Sequence, residues 1–188
     1  MRRLNKGEGF LKIDGEPAVV ITGWIALEGT SIIAKKKSKE LTGFFYKDII
    51  KEAVLFENSL NTDTALKIAG KYNILINIPV SDGGILAALW ELGRCTGKGF
   101  EIDIRKIPVR QETVEICEYF GINPYELLSN GALLTVTREP VRLIDELKEA
   151  GVNAVCVGYM KEGKDLHIRC ADHVSCLNRP NPDSINLL

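Results

Sequence analysis

The chain has 188 residues, 45% hydrophobic and 26% charged, which excludes a disordered polymer and is long enough to bury a self-sufficient core. Its 24 Lys and Arg against 25 Asp and Glu leave a net charge of -1, so no global field points to nucleic acid or an anionic membrane. The longest apolar runs, such as Ala18–Ile21 and Ile74–Ile78, are too short to span a bilayer. The basic start Met1–Lys6 lacks the apolar stretch of a secretory signal. Five scattered cysteines form no disulfide framework; they read as the reduced thiols of a cytoplasmic protein.

Residues 1–16 are polar and read as a loosely held lead-in. The β-branched run Ala18–Thr22 predicts a buried strand that Gly23 ends. Glu28-Gly29-Thr30 opens a short helix that closes on Lys35-Lys36-Lys37, where cations suit the macrodipole. Phe45, Ile49, Ala53 and Phe56 predict a helix over 44–57, and Asn61-Thr62-Asp63 caps another running to Tyr72. A strand Ile74–Ile78 leads through Pro79-Val80 into Ser81-Asp82-Gly83-Gly84, where Ile85, Leu86, Leu89 and Leu92 mark the next helix. A strand Phe100–Ile104 follows, then a helix from Val109 to Phe120, stopped by Gly121. Ala132–Thr137 reads as a strand, Glu139–Ala150 as a helix, Val152–Tyr159 as a strand and Asp165–Leu177 as a hairpin. The alternation describes one layered domain of helices on a sheet over 17–177, with an irregular tail over 178–188.

Ser81-Asp82-Gly83-Gly84 is the strongest local signal. Paired glycines let a backbone approach closely, and the following helix offers free N–H groups to an anion such as phosphate. The same four residues also make an ordinary strand-to-helix turn, with Asp82 as its cap. Ser129-Asn130-Gly131 is either a second close-approach turn or the left-handed turn that Asn-Gly favours. His167, Cys170, His173 and Cys176 are zinc-ligand types. Residues three apart on a strand point to opposite faces, so a hairpin with incidental thiols is the expectation there. Cys95 and Cys117 fall on apolar helix faces and read as small core residues.

Val80-Ser81-Asp82-Gly83-Gly84-Ile85-Leu86-Ala87-Ala88-Leu89-Trp90-Glu91 resembles the glycine-rich turn and helix in the C-terminal domain of the aminoimidazole ribonucleotide (AIR) synthase superfamily. Within it, the hydrogenase expression/formation protein E branch is similar at Thr22–Thr30, Ile107–Thr113, Cys117–Pro124, Leu128–Gly131 and Arg179–Asp183, in that order. The resemblance implies an α+β fold, helices packed on a mixed β-sheet, and a background of ATP-dependent chemistry. It also implies a two-domain parent, in which a preceding domain supplies most ATP contacts and the magnesium-binding aspartates. This chain starts at that domain boundary, and its last cysteine is Cys176, whereas the maturation branch carries its activated group on a terminal cysteine.

The expectation is therefore a domain that binds a phosphate-bearing ligand, or a separately encoded ATP-binding partner. The resemblance assigns that role to Ser81, Asp82, Gly83 and Gly84 with Ser129, Asn130 and Gly131. Glu28, Gly29 and Thr30 line the same cleft. The alternative is a small ATP-dependent enzyme that completes its site by self-association, with Asp63, Asp82 and Asp103 as the carboxylates available to magnesium. A third reading is a scaffold whose turns bind nothing. ATP and magnesium rest on the resemblance alone.

Overall fold

The computed structural model describes residues 13–188. Seven strands form one mixed sheet: β1 (Ala18–Thr22), β2 (Ile74–Pro79), β3 (Gly99–Asp103), β4 (Leu133–Thr137), β5 (Ala154–Lys161), β6 (Leu166–Cys170) and β7 (His173–Cys176). Their order is β2-β4-β1-β5-β3-β6-β7. All pairings are antiparallel except β3 with β6. The α+β class and the mixed sheet are those expected from the sequence.

Alternation along the strands divides two cores. Val19 and Ile21 of β1, with Leu134 and Val136 of β4, face a large core under helices α1 (Leu27–Lys36), α3 (Lys47–Leu55), α5 (Gly84–Thr96) and α6 (Gln111–Phe120). Val20 and Leu133 face the opposite side, covered by α4 (Asp63–Ala69) and α7 (Pro140–Glu149). All five residues of β1 and of β4 are buried, as central strands covered on both faces must be. Away from α4 and α7 that second face is open, and there Glu101 of β3 accepts hydrogen bonds from Arg169 of β6 at 2.7 and 3.0 Å. The pairing holds the Glu101 carboxyl below its ordinary range.

Several boundaries differ from the sequence reading, and the helix expected to run to Tyr72 ends at Ala69. The helix expected over 44–57 starts at Lys47, because Tyr46 is extended with ψ 141°, and a short α2 (Ser38–Leu41) precedes it. The helix expected from Val109 starts at Gln111, because Arg110 is extended with ψ 148°. β5 begins at Ala154 rather than Val152, and just before it the Asn153 carbonyl accepts the Gly23 N–H at 2.7 Å. The tail is partly ordered rather than irregular: Ser184–Leu187 form a 3-10 turn, and Asp183 and Ser184 are buried. The lead-in lies outside the described residues as far as position 12. Beyond it the chain is anchored, since Ile13 is buried and Glu16 pairs with Lys161 at 2.7 Å.

Register brings three turns to one end of the sheet. Leu133 pairs with Thr22 on one side and with Pro79 on the other, so the segments after β1, after β2 and before β4 meet there. Ser129 ties them together. Its hydroxyl accepts the Ala26 N–H at 2.7 Å and donates to the Leu127 carbonyl at 2.6 Å. Its backbone N–H donates to Ser81 at 3.3 Å. Ala26 needs that bond, because it is fully buried and left-handed, with φ 61° at the start of α1.

Ser129→Ala leaves the Ala26 N–H buried without a partner, which costs about 1–3 kcal/mol. At about 2–4 °C per kcal/mol for a chain of this size, calorimetry is expected to show a lower melting temperature; an unchanged one would show that the tie carries no stability. Burial pushes the Cys117 thiol up to about 12 and the half-buried Cys95 up to about 11, whereas Cys170 and Cys176 are exposed. An aromatic disulfide reagent at neutral pH is expected to consume Cys170 and Cys176 first and Cys117 only after denaturation. Fast reaction of Cys117 in the native protein would contradict its place in the core.

Candidate functional site

The residues expected to bind a ligand divide into two groups at this end of the sheet. Thr30, Ser129, Gly29, Gly83 and Gly84 are buried, and their polar groups are largely spent on the fold. The Thr30 hydroxyl donates to the Ala26 carbonyl at 2.7 Å and lies 3.0 Å from the Thr113 hydroxyl. The Gly29 N–H donates to the Leu128 carbonyl at 3.0 Å. These groups shape the site from beneath. Ser81, Asp82 and Asn130 are exposed, with Glu28 and Gly131 partly so.

Glu28 and Asn130 form the centre of the accessible surface. The Asn130 amide donates to Glu28 Oε2 at 2.5 Å, joining the first turn of α1 to the turn before β4. Two clefts open beside this bond. One, of about 190 Å³, is bordered by Leu60, Thr62, Asn77, Pro79, Asn130 and Gly131. The other, of about 440 Å³, is bordered by Glu28, Ser31, Lys35, Glu57, Asn58 and Leu60. Leu60 belongs to both and separates them. Lys35, the cation among these lining residues, is paired with Glu57.

Sequence reasoning missed two residues here. Asn77 interrupts the apolar strand β2, accepts a hydrogen bond from the Thr135 hydroxyl at 3.1 Å, and faces the smaller cleft. A lone polar residue in an apolar run was the available signal. Asp183 comes from the tail, and its Oδ2 accepts the Gly83 N–H at 2.8 Å. Its signal was an acidic cap between Pro182 and a short turn.

The two glycines of the Ser81–Gly84 turn are left-handed, with φ 73° at Gly83 and 63° at Gly84, a conformation that costs other residues about 1–2 kcal/mol. A side chain at Gly84 would stand 2.5 Å from the Tyr125 carbonyl, so this glycine admits the chain's own backbone. The Gly84 N–H donates to the Ser81 carbonyl at 3.0 Å, which closes the turn.

Asp63 starts α4, Asp82 lies in the turn, and Asp103 ends β3 bound to Arg105 at 3.2 Å. In the closing hairpin His167 stands opposite Cys176, and Cys170 opposite His173. Among the described residues no group of three or more His, Cys, Asp or Glu is placed to hold a metal ion, and no helix is long and apolar enough to cross a membrane.

Comparison with known proteins agrees with this architecture. A carbamoyl dehydratase HypE of Rhizobium leguminosarum is 29% identical over 119 residues, covering 63% of this chain and 32% of that protein. The hydrogenase maturation protein HypE of E. coli superposes with a TM-score of 0.72 at 19% identity, covering 92% of this chain and 52% of that one. A HypE solved in complex with ATP gives a TM-score of 0.66 at 16% identity, covering 95% of this chain and 54% of that one. The chain thus spans about a third of the curated relative and about half of each solved chain. The family model for AIR synthase related protein, C-terminal domain, matches residues 17–171, and with the fold it shows that this chain belongs to that family.

Proposed function

We propose that this domain supplies one wall of a nucleotide site, binding a phosphate-bearing ligand with magnesium, or docking a separate ATP-binding domain, at the end of the sheet where Ser81–Gly84, Glu28 and Asn130–Gly131 meet. The observation that carries the reading is the charge of the exposed rim. Glu28 and Asp82 are carboxylates, and the cation Lys35 is neutralised by Glu57. A bare phosphate would be repelled by such a rim. A phosphate chain carrying Mg²⁺ would not, because a hard divalent cation seeks carboxylate oxygens and phosphate together.

The relatives support the same reading. A HypE of this fold was solved with ATP, and another in complex with HypF. Since the chain spans about half of the solved HypE chains, the facing wall would come from another polypeptide or from a second copy. Self-association would favour a small ATP-dependent enzyme over a binding domain.

The test is calorimetric titration with ATP and Mg²⁺, alongside ADP and inorganic phosphate, with sedimentation of the same samples. Micromolar heat that disappears without Mg²⁺ is expected. Glu28→Gln and Asp82→Asn, both at the rim, are each expected to weaken it about tenfold, or about 1.4 kcal/mol. Equal heat with and without Mg²⁺, or no effect of either substitution, would overturn the nucleotide–magnesium reading. Heat accompanied by dimerisation would select the self-assembled enzyme.

A further inference from the structure

The Asp183 carboxylate lies where an anion at the glycine turn would lie. One oxygen accepts the Gly83 N–H at 2.8 Å, and the other accepts the Leu128 N–H at 3.3 Å. The second oxygen also caps its own 3-10 turn through the Ile185 N–H at 2.9 Å. Two of these three donors are long-range, 100 and 55 residues away. They come from the two segments that the sequence singles out, the turn before α5 and the approach to Ser129. Helix α5 has no acidic residue in its first turn and no side-chain cap, so Asp183 supplies the negative charge that its N-terminal end favours.

The attachment of this tail is local. The Leu177 N–H donates to the Leu166 carbonyl at 2.6 Å, the last backbone tie to the sheet. From there to Pro182 the chain is largely exposed, and Pro180 and Pro182 have no N–H to donate. Asp183 and Ser184 are buried, Ile185 packs on the large core, and Leu187 is 74% exposed. Besides these contacts, the Asn181 amide donates to Glu126 at 3.1 Å. The departure of a segment held behind an exposed link uncovers only the edge of the large core where Ile185 packs and leaves the sheet pairing intact.

We propose that residues 178–188 are a built-in competitor: Asp183 holds the Gly83 and Leu128 N–H groups, and an external anion reaches them only when the tail leaves. The proposal rests on the reading of the Ser81–Gly84 turn as an anion site and adds its regulation. The competing species is an anionic oxygen of the same class, a phosphate or carboxylate, and the competition lowers apparent affinity by the fraction of molecules whose tail is released. For a released state populated at about 0.1–10%, removing the competitor raises affinity roughly 10- to 1,000-fold.

The test uses the full chain with pyrophosphate as probe, in the presence and absence of Mg²⁺. Binding is followed by calorimetry, and release of residues 183–188 by amide hydrogen exchange. Asp183→Ala removes the carboxylate, and Asp183→Asn keeps its shape without the charge. The expected result is that pyrophosphate binds both variants at least tenfold more tightly than the parent chain, and that in the parent chain it raises exchange at Ile185 and Asn186. Equal affinity for all three proteins, with tail exchange unchanged by ligand, would overturn the competition while leaving the anion site standing. No binding by any of the three would overturn the anion site at this turn, and the proposal with it. Should Asp183→Ala lower the melting temperature into the assay range, the Asn variant decides: parent-like affinity in it would make Asp183 a structural clasp only.

Discussion

The Ser129 hydroxyl is shared between the Ala26 N–H and the Leu127 carbonyl, and the arrangement of the putting-together of three turns follows from it. Without this acceptor, Ala26 would be a buried left-handed residue with an orphaned donor, a combination that proteins rarely tolerate. With it, α1 starts after a four-residue link from β1, and Glu28 is delivered to the rim in the helix's first turn. The Ser129 backbone then reaches Ser81, so the turn before α5 is held in the same knot. The positions of Glu28 and of the Ser81–Gly84 turn thus depend on one buried residue whose own hydroxyl is spent on the fold.

That division of labour explains the chemistry of the rim. The buried Thr30 and Ser129 hydroxyls are spent on Thr113 and on the backbone, while the accessible groups are the Ser81 hydroxyl, the Glu28 and Asp82 carboxylates and the Asn130 carboxamide. The rim is therefore rich in oxygen acceptors, and the partial positive charge of the helix end beneath the glycine turn is met by Asp183. In the proposed site, an acidic rim over that helix end would favour a polyanion that brings its own cation over a free anion, which must pass the carboxylates to reach the N–H groups.

Much of this was legible in the sequence because it is written in local signals. The β-branched run at Ala18–Thr22 is a central strand, and Gly121 follows the helix it was expected to end. Ser81–Gly84 sits between strand and helix as its composition requires. Boundaries slipped where backbone geometry outweighed periodicity, as at Tyr46 and Arg110, both extended residues preceding a helix. The pairing of β3 with β6 in parallel had no local signal, since register across the sheet is a long-range property. Asp183 was invisible for the same reason: its two informative partners lie 55 and 100 residues away.

The glycine pair shows why a motif does not by itself name a ligand. Gly84 is left-handed, and the backbone around Tyr125 and Leu127 passes too close for a side chain, so the need for glycine is met inside the fold. Gly83 is left-handed at the next position, and its N–H is held by a carboxylate of the same chain. Identical residues would be needed to admit a phosphate oxygen, since both cases demand a close approach of oxygen to a bare backbone N–H. A carboxylate held by backbone donors at a helix end meets the physical conditions for anion binding with an internal anion. What separates a structural clasp from a ligand site is then the free energy holding the tail against that of the incoming anion, and the exposed stretch from Asn178 to Pro182 adds little to the first of these.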